Sequence, residues 1–175
     1  AVKRVFHGQS TLLLMPTGRG KSLTYQLPVM ASGKIGVVIS PLIALMQQQS
    51  TRLHEREGVN VLSLGGARDA RAAQEQLRNF DWDNGPGFLF ISPERAEADG
   101  YLEYLLTKNR DRISLIAVDE AHCISQWGHD FRPSYKNIPK ILNRGFGVDG
   151  WPTLLCLTAT LGEESKKETL DDFGM

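Results

Sequence analysis

The sequence predicts an α/β domain built on a mostly parallel sheet flanked by helices on both faces. Three observations lead there. Short continuous apolar runs of strand length alternate with helix-forming stretches. Strands that alternate with helices pair in parallel through crossover connections. The chemically distinctive residues fall just after the apolar runs, where ligands sit in such sheets.

The runs follow in order. Leu12–Met15, Ile35–Ile39, Ile113–Val118 and Thr153–Leu157 read as buried strands, being mostly apolar runs of about strand length. Asn60–Leu64 and Phe88–Ile91 complete the set. Residues 68–79 are rich in helix formers and carry Arg71 and Glu75 four apart. Residues 42–56, 101–109, 134–143 and 162–173 read as helices, with Pro139 expected to break or bend one of them. Pro16–Ser22, Ser40–Pro41, Ser92–Glu94, Asp119–Glu120 and Thr158–Thr160 then mark five strand ends.

Length and composition set bounds. A chain of 175 residues suits one domain with a substantial core. No apolar run approaches the ~20 residues of a membrane helix. The two cysteines, Cys123 and Cys156, form no disulfide framework, so an intracellular, reducing location is expected. His122, Cys123 and His129 lie close in sequence without zinc-ligand spacing. Net charge is zero, yet residues 1–80 hold ten Lys/Arg against four Asp/Glu, and residues 81–175 hold ten against sixteen. Such asymmetry does not by itself make a basic face. The start at Ala1, with no Met and no signal peptide, is what a segment of a longer chain would show.

LLLMPTGRGKSLTYQLP (12–28) is a strand, a glycine-bearing turn and a helix. Gly18 and Gly20 let successive backbone N–H groups turn inward toward a phosphate. Thr17 and Arg19 complete the turn. Lys21 would reach the β- and γ-phosphates, Ser22 would ligate Mg²⁺, and the helix dipole adds attraction for anions. Met15 stands where the strict motif has its first glycine. The alternative is an ordinary strand–helix turn with a surface lysine. In ISLIAVDEAH, Asp119 suits Mg²⁺ and Glu120 suits the orientation of attacking water. Alternatively, the pair caps a following helix.

MPTGRGKS, SPLIALM, ISPER, DEAHC, QWGHDFRPSY and LTAT stand in the order found in RecQ-family DNA helicases of superfamily 2. The chain resembles that family from Leu12 to about Leu161. QWGHDFRPSY is the more specific signal, because RecQ enzymes carry an aromatic-rich loop directly after DEAH.

The resemblance implies the first RecA-like lobe of an ATP-dependent helicase, a P-loop nucleotide hydrolase using ATP and Mg²⁺. It implies catalytic roles for Lys21, Asp119 and Glu120, and nucleotide contacts from Thr17 through Ser22. It implies that the aromatic loop couples single-strand binding to hydrolysis, through Gln126, Trp127, Phe131 and Arg132. Aromatic faces stack on any base, and a guanidinium pairs with phosphate. The alternative is that Trp127, Phe131 and Tyr135 are core residues. By the same resemblance His122 bridges the acids to Thr158 and Thr160. Ser40, Pro41 and Ser92 look like track-contact residues, and the plainer reading of each serine is a helix N-cap.

The expected partners are single-stranded and partly duplex DNA and a second RecA-like lobe of the same protein, with no membrane. The second lobe would carry an arginine finger worth ~10³–10⁵ in rate. Gln9 is not the adenine-recognition glutamine of the family, which lies a helix further upstream. Unwinding in the 3′ to 5′ direction comes from the resemblance alone. Three other readings stay open: a superfamily 2 RNA helicase, a DNA translocase, and a non-catalytic scaffold.

Overall fold

The computed structural model describes residues 1–65, 70–98, 100–127, 130–148 and 150–175. The elements are α1 (Val2–Phe6), β1 (Thr11–Leu14), α2 (Leu23–Ser32), β2 (Ile35–Ile39), α3 (Ile43–Glu57), β3 (Asn60–Leu64), α4 (Ala70–Asn79), β4 (Gly87–Ile91), α5 (Pro93–Glu97), α6 (Tyr101–Lys108), β5 (Ile113–Val118), α7 (Pro133–Phe146), β6 (Thr153–Thr158) and α8 (Glu163–Phe173). Short 3₁₀ turns occupy Arg110–Arg112 and Ala121–Ile124.

The strands form one sheet in the order β1-β6-β5-β2-β4-β3, with every pairing parallel. The order explains the layering. From β1 to β3 the chain steps in one direction across the sheet, and from β3 to β6 it steps back. Right-handed crossovers therefore put α2 and α3 on one face and α4–α7 on the other. The packing agrees. Val5, Tyr25, Val29, Met46 and Leu53 cover Val38, Phe88, Phe90, Leu155 and Leu157. Leu77, Leu102, Leu106, Tyr135, Ile138, Ile141 and Phe173 cover Ile39, Leu89, Ile91, Ile116 and Cys156.

One irregularity sets the side of the sheet on which the acids stand. The β2–β5 register pairs Ile35 with Ile113 but Gly36 with Leu115, so Ser114 is an extra residue in β5. A bulge reverses which face each later residue takes. Ile113 packs with the α4–α7 layer, whereas Leu115 and Ala117 pack with α2 and α3. Asp119, one alternation further on, continues on the α2 side.

The strands expected over Asn60–Leu64 and Phe88–Ile91 are both present, as edge strand β3 and interior strand β4, and β1 begins one residue earlier than the apolar run suggested. The helix expected over 68–79 is seen over Ala70–Asn79; residues 68 and 69 lie outside the described residues. Pro139 does not break its helix, which runs on to Phe146. Losing one backbone bond costs about 3 kcal/mol. Burial of Ile138, Ile141, Leu142 and Phe146 on one face outweighs it. The short helix α1 was not read from the sequence, and α5 only as the helix Ser92 would cap, since five residues are too few to show a period.

Candidate functional site

The site forms at the carboxyl ends of β1, β2, β5 and β6, in the crevice a parallel sheet leaves there. After β1 the chain turns at Gly18 and Gly20, whose φ values of 74° and 82° suit glycine and would strain another residue. Turns from Gly20 to Leu23 and from Lys21 to Thr24 lead into α2, which begins at Leu23 with Ser22 as N-cap.

A cleft of about 360 Å³ opens here, lined by Thr17, Gly18, Gly20, Lys21, Ser22, Asp119 and Glu120. Tyr25, Leu42, Leu45, Gln49 and Leu157 complete it. The Lys21 ammonium lies 3.4 Å from Glu120 Oε1 and 3.9 Å from Asp119 Oδ1. Six of the expected nucleotide and catalytic residues are thereby brought into one cavity with Glu120. Arg19 is exposed and does not line it.

Asp119 is buried and held from several sides. Its Oδ1 accepts from the Glu120 N–H at 3.0 Å and its Oδ2 from the Ser40 hydroxyl at 3.3 Å. Burial, with the Glu120 charge second, lifts its carboxyl above the ordinary range, and Lys21 opposes this. Glu120 adopts φ 49°, the positive-φ non-glycine residue among the described residues. That conformation costs about 1–2 kcal/mol. A 3₁₀ turn follows, but neither acid caps it through its side chain.

His122 joins two parts of the site. The Thr158 hydroxyl donates to Thr160 O at 2.8 Å, so its oxygen must accept from His122 Nδ1 at 2.9 Å. This places a proton on Nδ1. The same nitrogen is 3.3 Å from Glu120 Oε2. The DEAH histidine therefore touches both Glu120 and the end of β6. Burial pushes the Cys123 thiol up to about 11, with Arg132 opposing, so it stays protonated.

The loop after the acids is closed at its base, where the Arg132 N–H donates to Cys123 O at 2.9 Å. The Ser125 hydroxyl accepts from the Trp127 N–H at 3.2 Å. Trp127 is 76% exposed, Gln126 is exposed, and Phe131 and Arg132 are half-buried. Arg132 lies 3.9 Å from Glu94. His129 lies outside the described residues. Tyr135, by contrast, is fully buried, so among the three aromatics the core reading holds for it alone.

The two serines of the expected track contacts face inward. Ser40 is buried against Asp119, and Ser92 is buried as the N-cap of α5, accepting from the Arg95 N–H at 3.2 Å. Pro41 is half-buried beside the exposed Leu42 and Ile43. Thr158 is buried and Thr160 exposed. The Tyr25–Gln49 hydrogen bond and the Tyr135–Asp119 contact were missed from the sequence.

The sheet, its layering and the loops at its carboxyl edge are those of a RecA-like helicase lobe. The DEAD/DEAH box helicase family model matches residues 1–169, and the chain belongs to that family. It is 42% identical to ATP-dependent helicase wrn-1 of Caenorhabditis elegans over 149 residues, 82% of this chain and 13% of that protein. It is 40% identical to ATP-dependent DNA helicase RecQ of Bacillus subtilis, covering 89% of this chain and 25% of that one. The chain therefore spans about a quarter or less of the length of these two relatives. Among solved structures, the DUF1998 helicase MrfA bound to DNA and AMPPNP superposes with a TM-score of 0.74 at 21% identity, over 99% of this chain and 25% of that one. ATP use follows from the family. No helix among the described residues is long and apolar enough to cross a membrane.

Proposed function

We propose that the chain is the ATP-binding lobe of a RecQ-type DNA helicase, which couples ATP hydrolysis to movement along single-stranded DNA and to unwinding. One observation carries the reading. An ammonium set against two carboxylates at the sheet's carboxyl edge adjoins a loop that presents an exposed tryptophan.

Each residue has a role in this reading. The backbone of Thr17–Ser22 cradles the phosphates, and Lys21 moves its charge from the acids to the γ-phosphate. Glu120 orients the attacking water and takes its proton. Ser22 and Asp119 both line the cleft and offer hard oxygen donors, which fits Mg²⁺. A cation there would also favour the ionised form of a carboxyl that burial disfavours. When bound, Mg²⁺ neutralises charge on the phosphates. Trp127 stacks on bases and Arg132 contacts phosphate. Ser40 acts on Asp119, and Ser92 holds α5, so track contacts there fall to Pro41 and the neighbouring backbone. His122 and Thr158 tie hydrolysis to strand separation.

A second RecA-like lobe, supplied by the longer protein, closes over the nucleotide with an arginine finger. Movement is 3′ to 5′, and the protein works inside the cell on single-stranded and partly duplex DNA.

The test is the ATPase rate of the full-length protein with and without single-stranded DNA, with single-stranded RNA beside it. The expected result is strong stimulation by DNA, and a Trp127→Ala variant that keeps basal turnover but loses stimulation. Stimulation by RNA alone would replace this reading with an RNA motor. No turnover at all would favour a scaffold.

A further inference from the structure

We infer that Tyr135 is a positioning residue for Glu120, acting through the peptide bond that joins Asp119 to Glu120. The inference rests on the ATPase reading above.

Tyr135 has no exposed surface and packs within the α7 core. Its hydroxyl donates to the backbone carbonyl of Asp119 at 2.7 Å, crossing from α7 to the end of β5. That carbonyl belongs to the peptide whose other end is the Glu120 N–H. The N–H in turn donates to Asp119 Oδ1 at 3.0 Å. Both faces of one peptide plane are thus fixed, one by Tyr135 and one by the metal-binding acid. Rotating that plane changes φ of Glu120, which stands at a strained 49°. The strain persists only while its surroundings over-determine it. Burial, chiefly, holds the Tyr135 phenol well above its ordinary range, so it remains a donor at any working pH.

Lys21 and His122 hold the far end of Glu120, its carboxylate. Lys21 is also the residue expected to turn to the phosphate. Tyr135 is the anchor that stays behind when it does. A carboxylate moved by a fraction of an ångström from its water loses rate without losing nucleotide.

The experiment compares full-length wild type with Tyr135→Phe, which keeps the ring and removes the donor. Steady-state ATPase is measured against ATP concentration, with and without an oligo-dT strand. We expect kcat to fall about tenfold in both conditions, with KM for ATP and the fold-stimulation by DNA each within about twofold. A purely structural role predicts a lower melting temperature and unchanged kcat below it. Ile138→Val, buried on the same helix, serves as that control. Para-aminophenylalanine at 135 restores a donor on the same ring and should recover most of kcat, and it also answers the question if Tyr135→Phe does not fold. Unchanged kcat in Tyr135→Phe overturns the inference, as does a loss confined to stimulation or a failure of the amino variant to recover. A wild type with no ATPase removes the functional reading and this inference together. An active wild type with an equally active Tyr135→Phe removes this inference alone.

Discussion

Gly36, the second residue of β2, lies beneath α2, and replacing it with alanine tests how the turn before α2 is held. A Cβ there would lie 2.6 Å from Val29 Cγ2, 3.3 Å from Val29 Cγ1 and 3.4 Å from Phe88 Cδ1. Val29 and Phe88 have no exposed surface and cannot swing into solvent. A helical valine has one favourable rotamer, so relief must come from moving α2 off the sheet. Overpacking of this kind costs about 1–3 kcal/mol. The loss of backbone freedom in the unfolded chain returns about 0.4–1 kcal/mol. The clash therefore wins by about 1–2 kcal/mol. At about 2–4 °C per kcal/mol for a domain of this size, the melting temperature should fall by about 2–8 °C. Far-UV circular dichroism reads it. Because α2 follows directly from the Gly18–Ser22 turn, which the proposed function assigns to phosphate, nucleotide affinity should fall as well. The reasoning fails if Gly36→Ala melts at or above the wild type. It also fails if the cost persists in a Val29→Ala background, where both offending methyl groups are gone.

Two further outcomes follow from the site. Burial first, and the Glu120 charge second, raise the Asp119 carboxyl, so the native chain binds a proton there more tightly than the unfolded chain does. That share of stability is present below the ordinary carboxylate pKa and is lost as pH rises through the raised native value. Asp119→Asn should therefore melt above the wild type at pH 7, the gap should close in acid, and turnover should disappear; a variant less stable at pH 7 would contradict the sign. Thr158→Val removes the partner of His122 Nδ1 in a buried position, at a cost of about 1 kcal/mol. It should keep most ATPase while hydrolysing more ATP per base pair opened, and an unchanged ratio would show that the His122–Thr158 contact carries no coupling.

Much of the site was legible because its chemistry is local. Gly18, Gly20, Lys21 and Ser22 are near neighbours in one turn, and Asp119, Glu120 and His122 stand at the end of one strand. Their residue types announce phosphate and acid whatever the rest of the chain does. The exposed Trp127 was legible for a related reason, since polar neighbours argue against a buried loop. Ser40 and Tyr135 were not legible in their observed roles. Each acts on Asp119 from an element 79 or 16 residues away along the chain. Nothing in a serine before a proline, or in a tyrosine on an amphipathic helix, names its partner.

The sequence by itself determined that strands and helices alternate, and that a glycine-bearing turn and an acid pair end two of the strands. Tertiary structure decided the order β1-β6-β5-β2-β4-β3, which sets that turn at one edge strand and the acids two strands away. It also decided the face on which Asp119 stands. Apart from Ser114, Ile113–Val118 is apolar and buried on both sides, so its side chains carry no period-2 signal. The extra residue at Ser114 is visible only in the pairing with β2. Without that bulge the alternation would run unbroken from Ile113, and Asp119 would face α7 instead of Lys21. A strand with two hydrophobic faces records that it is buried, and only its neighbours determine which way it turns.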